Sequence, residues 1–261
     1  MKLKNVLIRP LHALYVIYAT IMWLAIMFLI LPFIFLASLL GRYKGGNIIF
    51  YFLRFWAITW FPLVGIITRR IYAPGVRALK EPCIFVVNHR SYLDAALAVK
   101  IMRLPFRPLG KVEMSKIPIF GFIYRNSVVP VDRSNARARA KSVREMMAAL
   151  KEGISILIFP EGTTNESEAP LRSFHNGAFK IAIETQTPIH PVLYLDCKQR
   201  LPHDKGFFSL TPGRCRIVYM QPVPVAGLTI DDIPTLKQQV FELMEAELRK
   251  YHHYPTLQPV G

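Results

Sequence analysis

The chain is poor in cysteine, and its three cysteines form no pattern. Cys83, Cys197 and Cys215 are odd in number and far apart, which excludes a disulfide-rich scaffold and is typical of structural thiols in a reducing compartment. Spacings typical of metal ligands are also missing from the sequence, so it predicts no metal site. The sequence contains no internal repeat and no low-complexity tract, and we predict no cofactor.

Charge is absent from a long stretch near the N-terminus. Residues 10–41 contain no Lys, Arg, Asp or Glu, and a second apolar stretch, residues 48–67, is interrupted by Arg54. The first stretch is long enough to cross a bilayer and too long for the apolar core of a signal peptide. We predict a helical hairpin that spans the membrane twice or dips into one leaflet. A buried core hairpin of a soluble protein is the alternative.

Acidic residues are absent from the first 80 positions. That segment contains ten Lys and Arg, within a chain whose formal net charge is +16. The basic residues flank the apolar stretches, where anionic lipid headgroups and the positive-inside bias favour them. We therefore predict an inner-membrane protein whose remaining domain lies on the cytoplasmic face. Nucleic-acid binding, the other interpretation of such a charge, is not supported by any motif, so we predict no nucleic-acid partner.

After residue 80, short apolar runs alternate with amphipathic segments. These runs predict strands at residues 84–87, 107–111, 127–131, 154–159, 189–195 and 215–219. Helical spacing of apolar residues predicts helices at residues 92–102, 135–152, 176–184 and 231–251. The alternation predicts an α/β fold: a layered, mostly parallel sheet flanked by helices, preceded by the N-terminal hydrophobic hairpin. We assign residues 1–72 to the hairpin and residues 73–261 to the α/β domain.

The most informative segment follows the first of these strands. His89 lies at the carboxyl end of that strand, and Asp94 lies in the first turn of a helix whose predicted N-cap is Ser91. Such a histidine can remove a proton from a hydroxyl, while the aspartate fixes its tautomer and stabilises the imidazolium. The alternative is that Asp94 completes a capping box with Ser91 and that His89 is an ordinary loop residue.

Polar turns follow three of the predicted strands, at residues 88–91, 132–134 and 160–164. In a parallel sheet, ligands bind beyond the carboxyl ends of the strands. If these turns share one edge, they bring together a base, its orienting carboxylate, an arginine, a glutamate and hydroxyl groups. This combination is typical of anion binding and acyl transfer rather than of redox or metal chemistry.

These turns, in this order, resemble the sequence blocks of the PlsC-type glycerolipid acyltransferases, the family of 1-acylglycerol-3-phosphate acyltransferases. The match consists of four blocks, Asn88-His89-x4-Asp94, residues 116–133, Phe159-Pro-Glu-Gly-Thr163 and residues 187–192. The resemblance covers residues 81–196, and a two-helix hydrophobic N-terminal hairpin also occurs in the family. It implies a membrane-bound acyltransferase that moves a fatty acyl group from a thioester to a lysolipid hydroxyl, with residues 73–261 as its catalytic domain.

The resemblance also implies roles for individual residues. His89 would be the general base and Asp94 its orienting partner, with direct attack on the thioester and no acyl-enzyme intermediate. Contacts with the glycerol-phosphate acceptor would come from Lys111, Arg133, Glu161, Gly162 and Thr163. The donor would be a thioester of acyl carrier protein or CoA, and the lipid partners would carry anionic headgroups.

One residue departs from the family pattern. The third block usually continues with an arginine, which is a natural partner for the acceptor phosphate, but this chain has Thr164. Either Lys111, Arg133 or Arg172 binds the phosphate, or the acceptor is another lysolipid, such as a lysophospholipid or a lyso-aminolipid. A lipid-binding protein without activity and a hydrolase that uses the same base are the alternatives from other classes.

Three basic residues of the predicted helix at residues 135–152 bear on the acyl donor. Arg137, Lys141 and Arg144 lie on one face of that helix. Such a face suits an acidic acyl carrier protein, although a solvated face, or one lying on anionic lipid, explains the same residues equally well.

Overall fold

The computed structural model describes residues 2–76, 82–132 and 134–253, with side chains from residue 9 onward. The helices within these residues are α1 Lys2–Ser38, α2 Gly46–Leu63, α3 Leu93–Ile101, α4 Phe120–Ser127, α5 Ala136–Lys151, α6 Gly177–Thr185, α7 Cys197–Arg200 and α8 Ile233–Tyr251. The strands are β1 Ile66–Tyr72, β2 Ile84–Val87, β3 Phe106–Lys111, β4 Val129–Val131, β5 Ser155–Ile158, β6 Ile189–Tyr194 and β7 Gly213–Tyr219.

The strands form one seven-stranded sheet in the order β1-β7-β6-β2-β5-β3-β4. All neighbouring strands are parallel except β6 and β7, which are antiparallel. The prediction of a mostly parallel sheet flanked by helices is therefore confirmed. The central strand β2 is buried on both faces, as expected for a continuous apolar run between two helical layers.

Each face of the sheet has its own hydrophobic layer. One layer contains α1, α2 and α3, with the fully buried side chains of Ile34, Phe61 and Leu97. The other contains α5, α6 and α8, with Phe179 and Met244 at its centre. The N-terminal hairpin therefore shares a continuous core with the α/β domain.

The hairpin predicted from the two apolar stretches is present as α1 and α2. The helices are joined side by side, because Trp60 Nε1 donates a hydrogen bond to the carbonyl of Ala19 at 2.9 Å, and the Tyr15 hydroxyl donates to the carbonyl of Val64 at 2.8 Å. By length and composition, one helix among the described residues could cross a membrane, over Arg9–Ser38 of α1. The shorter α2 does not meet the same criteria.

The bend of the hairpin is fixed to the far edge of the sheet by Arg107. This β3 side chain is 2% exposed and donates to the carbonyls of Arg42 and Tyr43, both at 3.2 Å, and to Asn47 Oδ1 at 2.9 Å. Desolvation lowers the pKa of Arg107 to about 10, so the guanidinium stays charged at neutral pH. Because Arg107 fills the space beside Gly46, a Cβ there would lie 2.6 Å from its NH2 atom.

The other end of the hairpin is also held by the domain. His12 Nε2 lies 2.9 Å from the carbonyl oxygen of Leu210, in the segment that leads into β7. The α1–α2 hairpin is therefore attached to the domain near both of its ends and lies alongside it.

Strand β1 was not predicted from the sequence. Residues 66–67 were included in the second apolar stretch, and Arg69 and Arg70 interrupt any apolar alternation. Among the described strands its one partner is β7, at the edge of the sheet, where polar side chains remain in solvent. The division of the chain after residue 72 remains a prediction, but the segment that it assigns to the hairpin includes this strand of the sheet.

Candidate active site

The predicted base and its partner are in contact at the carboxyl end of β2. His89 Nδ1 lies 2.8 Å from Asp94 Oδ2. The His89 side chain is 22% exposed, whereas the Asp94 side chain is fully buried. A buried carboxylate on Nδ1 favours the tautomer that carries its proton there, so Nε2 keeps a lone pair that can accept a proton.

The same carboxylate oxygen also shapes the turn that carries the base. The backbone N–H groups of Arg90 and Ser91 each donate to Asp94 Oδ2 at 2.8 Å. Ser91 Oγ accepts from the Leu93 backbone N–H at 2.9 Å, but α3 begins at Leu93 and Tyr92 occupies its N-cap position, so the predicted N-cap at Ser91 is one residue too early. The base–orienter geometry is present, and Asp94 also accepts from the Ser91 backbone, which is one half of the capping alternative. Asp94 orders the loop and orients the imidazole with one oxygen.

Two further contacts fix this turn to the body of the domain. Asn88 Nδ2 donates to the carbonyl of Tyr194 at 3.0 Å, and the Tyr194 backbone N–H donates to Asn88 Oδ1 at 2.7 Å. Ser91 Oγ donates to the carbonyl of Leu201 at 2.6 Å. Because these side chains are buried, the bonds are protected from water, and the position of His89 is set by the neighbouring strand β6 and the chain that follows it.

The loop after β5 lies against His89 on the other side. Glu161 is 2% exposed, and its two carboxylate oxygens accept hydrogen bonds from the backbone N–H of His89 at 2.7 Å and of Arg172 at 2.9 Å. Glu161 therefore joins the turn that carries His89 to the 160–172 loop. The resemblance implied a contact between Glu161 and the acceptor, and that contact remains a prediction.

Burial has a strong electrostatic effect on this glutamate. Desolvation raises the pKa of Glu161 from 4.5 to about 7, although the hydrogen bonds from Arg172 and His89 oppose the shift. Near neutral pH the folded protein therefore holds a carboxyl group that is partly protonated beside the backbone of the base.

Three more residues after β5 contact His89. The ring of Phe159 stacks on the His89 ring with a centroid distance of 4.3 Å. Thr164 Oγ1 lies 3.4 Å from His89 Nε2, and the Asn165 backbone N–H donates to the carbonyl of His89 at 2.7 Å. The third sequence block and the two residues that follow it therefore form much of the local environment of His89.

The remaining predicted site residues lie at the same edge of the sheet or outside the described residues. The Lys111 side chain is exposed at the end of β3, which runs parallel to β5 and β2. Gly162 has φ 73°, a conformation that favours glycine, and its N–H donates to the Phe159 carbonyl at 3.0 Å. Thr163 is half-buried in the same turn. Arg133 lies outside the described residues.

A cysteine nucleophile is disfavoured at this site. The Cys197 thiol is buried near Asp94, and desolvation, together with the neighbouring Cys215 and Asp94, raises its pKa well above the usual value. The thiol therefore stays protonated and weakly nucleophilic. Among the residues that the structure describes, no group of three His, Cys, Asp or Glu side chains could hold a metal ion.

Sequence reasoning missed the residues that hold the base in place. Glu161 was predicted as a contact of the acceptor and not as a partner of the His89 backbone, while Phe159 and Asn88 were recognised only as residues of family blocks. Their contacts with His89 or with β6 depend on the pairing of β2 with β5 and β6, which cannot be deduced from residue spacing alone. The one local signal for these residues in the sequence was the polar turn that follows β2 and the polar turn that follows β5.

Comparisons with known proteins agree with this architecture. The acyltransferase family model matches residues 65–195, which contain β1 to β6 and the whole described site. The crystal structure of the 1-acyl-sn-glycerophosphate (LPA) acyltransferase PlsC from Thermotoga maritima is similar, with a TM-score of 0.72, and covers 98% of this chain and 99% of that chain. Its sequence identity is 22%, so the likeness concerns the fold.

Two relatives carry more specific names. The human 1-acyl-sn-glycerol-3-phosphate acyltransferase beta is 32% identical over 168 residues, which are 61% of this chain and 58% of the human protein. The 1-acyl-sn-glycerol-3-phosphate acyltransferase from Limnanthes alba is 26% identical over 234 residues, which are 87% of this chain and 77% of the plant protein. The chain thus spans less than two thirds of the human relative.

Proposed function

Because the chain belongs to the PlsC-type acyltransferase family, we propose that it transfers a fatty acyl group from an acyl thioester to the free hydroxyl of a lysolipid. The first candidate acceptor is 1-acylglycerol-3-phosphate, which gives phosphatidate. The observation that supports this proposal most directly is the 2.8 Å contact between His89 Nδ1 and Asp94 Oδ2, with Nε2 directed away from the carboxylate.

The proposed reaction uses His89 as general base and then as general acid. Nε2 takes the proton of the acceptor hydroxyl while the oxygen attacks the thioester carbonyl carbon, and Asp94 stabilises the imidazolium. The carbon–sulfur bond of the tetrahedral intermediate then breaks. The leaving thiolate takes the proton from Nε2, which returns the base to its starting state. No acyl-enzyme forms in this sequence.

We further propose that the hairpin lies in the cytoplasmic leaflet of the inner membrane. Between residues 11 and 36 the outward face of α1 is predominantly apolar, with exposed Leu11, Leu14, Ile17, Ile21, Phe28, Leu29, Phe33, Phe35 and Leu36. A helix of 37 residues is about 55 Å long, which is more than the roughly 30 Å of a hydrocarbon core. Its attachment to the domain near both ends favours a position along the leaflet over a span across it.

The acceptor headgroup depends on which basic groups face the site. Thr164 is 8% exposed and contacts the base, so the position at which the family pattern has an arginine supplies no cation here. Among the described residues, the candidates for an acceptor phosphate are Lys111, exposed at the same edge of the sheet, and Arg172, exposed at the end of the 160–172 loop. The absence of the arginine favours a second candidate function, acylation of a lyso-aminolipid or another lysophospholipid.

The acyl donor is proposed to be a thioester of acyl carrier protein or of CoA. Arg137, Lys141 and Arg144 are exposed on one face of α5, which suits an acidic carrier protein. Replacing all three residues by Glu should raise the KM for acyl carrier protein thioesters and leave the KM for CoA thioesters nearly unchanged. An equal change for both donors would contradict carrier docking on this face.

The proposed activity is tested by acyl transfer with the purified protein in detergent. Lysophosphatidate, a lysophospholipid and a lyso-aminolipid are compared as acceptors, with each donor, alongside His89→Ala. We expect conversion of lysophosphatidate to phosphatidate and its loss in the variant. Acylation of the lyso-aminolipid alone would establish the second candidate. Free fatty acid as the main product, independent of acceptor, would indicate a hydrolase, and no product with any pair would indicate a lipid-binding protein.

A further inference from the structure

An exposed pair of aromatic residues lies close to the site. Phe207 and Phe208 are at the tip of the segment between α7 and β7, which we name the aromatic loop and define as residues 203–210. The exposed fraction is 66% for Phe207 and 84% for Phe208. Most of the Phe208 side chain is therefore available to an apolar surface outside the chain.

The aromatic loop is held in a defined position by its contacts. The Phe207 ring stacks on Tyr92 with a centroid distance of 4.6 Å, and the other stacking partner of Tyr92 is His203, at 4.0 Å. Within the loop, Ser209 Oγ donates to the carbonyl of Gly206 at 2.6 Å. Tyr92 belongs to the turn that carries His89, so the aromatic loop is attached directly to the catalytic turn.

The aromatic loop also adjoins the hairpin. His12 of α1 contacts the carbonyl of Leu210 at 2.9 Å. Two neighbouring residues of α1, Leu11 and Leu14, are 64% and 62% exposed. The apolar face of α1 and the tip of the aromatic loop therefore lie close together. The turn that carries His89 lies beside them.

We propose that the aromatic loop is a second membrane contact, which inserts Phe208 and part of Phe207 into the bilayer interface beside the entrance to the site. This inference rests on the proposed function, in which the hairpin lies in the same leaflet. Within the loop the charges of the exposed Asp204 and Lys205 offset each other, so the attraction to an anionic leaflet comes from the net charge of the whole chain, +16. Exposed aromatic side chains beside an apolar helix face are typical of an interfacial contact.

The contact has a consequence for the acceptor. A lysolipid keeps its acyl chain in the leaflet while its hydroxyl reaches His89. Phenylalanine side chains inserted beside the turn that carries His89 hold this turn at the surface of the leaflet. The lysolipid therefore moves a shorter distance out of the bilayer before its hydroxyl reaches His89. The loop therefore acts on delivery of the lipid acceptor and has no part in the chemical step.

A site-specific environment probe tests the insertion. The native cysteines are buried, so a cysteine introduced by Phe208→Cys is the accessible site for a polarity-sensitive fluorophore. Phosphatidylcholine–phosphatidylglycerol vesicles are then added, and the emission maximum is recorded. Leu14→Cys reports on the hairpin. Ile230→Cys, 55% exposed and close to α8 on the opposite side of the sheet, is the control.

We expect emission to shift to shorter wavelength at position 208 and at position 14, with no shift at position 230. A shift at position 14 without one at position 208 overturns the loop contact and leaves the hairpin proposal intact. If neither position shifts, both proposals fail. A shift at all three positions indicates non-specific adsorption and also overturns the loop contact.

Turnover supplies a second readout that does not depend on labelling. Phe208→Ser should lower the rate with lysolipid in vesicles by roughly fivefold, because part of the interfacial contact is lost. The rate with a short-chain, water-soluble acceptor below its aggregation concentration should be unchanged. Equal loss with both acceptors would mean that Phe208 acts on the fold or on the catalytic site and would overturn the proposal.

Discussion

Thr164 Oγ1 lies 3.4 Å from His89 Nε2, the nitrogen that faces away from Asp94. This distance is at the long end of a hydrogen bond, so the hydroxyl restrains the imidazole only weakly. Thr164 is 8% exposed and belongs to the wall of the site. A residue at this position therefore faces the base, and its identity affects how an acceptor hydroxyl approaches Nε2.

Replacing Thr164 tests this relationship. Thr164→Val removes the hydroxyl and keeps the branched shape, so we expect kcat/KM to fall by about threefold to tenfold, the value of one weak hydrogen bond. Thr164→Ser keeps the hydroxyl, so its kcat/KM should stay close to that of the parent protein. Steady-state kinetics with the best acceptor provide the measurement. If Thr164→Val left kcat/KM unchanged, the contact between Thr164 and His89 would have no effect on the base.

Asp94→Asn separates the charge of the orienting group from its packing. The amide keeps the shape of the carboxylate, and its oxygen can take the place of Oδ2, which accepts from His89 Nδ1 and from two backbone N–H groups. The amide is neutral and does not stabilise the imidazolium, so we expect kcat to fall by about 10²-fold.

The control for Asp94→Asn is His89→Ala in the same assay, together with circular dichroism to establish that each variant is folded. Retention of more than a tenth of the parent kcat by the asparagine variant would contradict the role assigned to the carboxylate.

Glu161 predicts a particular dependence of stability on pH. Its pKa is about 7 in the folded protein against 4.5 without burial. Between these values the folded state binds more protons than the unfolded state, so the free energy of unfolding decreases as the pH rises from 4.5 to above 7. The full effect is about 3 kcal/mol at most.

Glu161→Gln removes this ionisation. The free energy of unfolding of the variant should therefore depend less on pH between 4.5 and 7. Urea unfolding in detergent at several pH values between 5 and 8 gives the measurement. The glutamine presents an NH2 group to one of the two backbone N–H donors, so its stability is lower at all pH values, and the slope is the informative quantity. Parallel curves for the two proteins would refute the raised pKa.

Gly46 is expected to be sensitive to substitution because of Arg107. In Gly46→Ala, the new Cβ would lie 2.6 Å from Arg107 NH2 and 2.8 Å from the carbonyl oxygen of Asn126. Overpacking at such a site costs about 1–3 kcal/mol, and we expect the midpoint of thermal unfolding to decrease by several degrees.

Gly177→Ala is the matched control for this substitution. Gly177 begins α6, and no atom lies within 4 Å of a Cβ at that position. Alanine there should leave the unfolding midpoint unchanged or raise it slightly, because it lowers the conformational entropy of the unfolded chain. Equal destabilisation of both variants would show that the close approach at Gly46 is tolerated.

Much of the fold follows from local patterns in the chain. Helix α5 was predicted to within one residue at each end, since Asn135 caps it through the backbone N–H groups of Arg137 and Ala138 and Gly153 follows its C-terminus with φ 73°. The strand β2 was predicted because four apolar residues lie between Pro82 and a polar run. Edge strand β1 has no such pattern, because one side of it is solvated.

In the candidate site, too, the sequence predicts local contacts and misses contacts between distant segments. The pairing of His89 with Asp94 is local, since both belong to one turn and its helix, and the sequence predicts it directly. Glu161 was expected to contact substrate, yet its carboxylate is engaged by the backbone N–H groups of His89 and Arg172. Such bonds join segments that are distant in sequence, and they depend on strand order, which residue spacing does not encode.

The two attachments of the hairpin have a mechanical consequence. A domain joined to its anchor at one point can swing and tilt about that point. Here His12 holds one end of the hairpin, Arg107 holds the other, and a shared hydrophobic core lies between them, so the hairpin and the domain form one packed unit. If the hairpin lies in the leaflet, the height of His89 above the hydrocarbon is then fixed by the fold, and acceptors are sorted by how far their hydroxyl lies from the hydrocarbon.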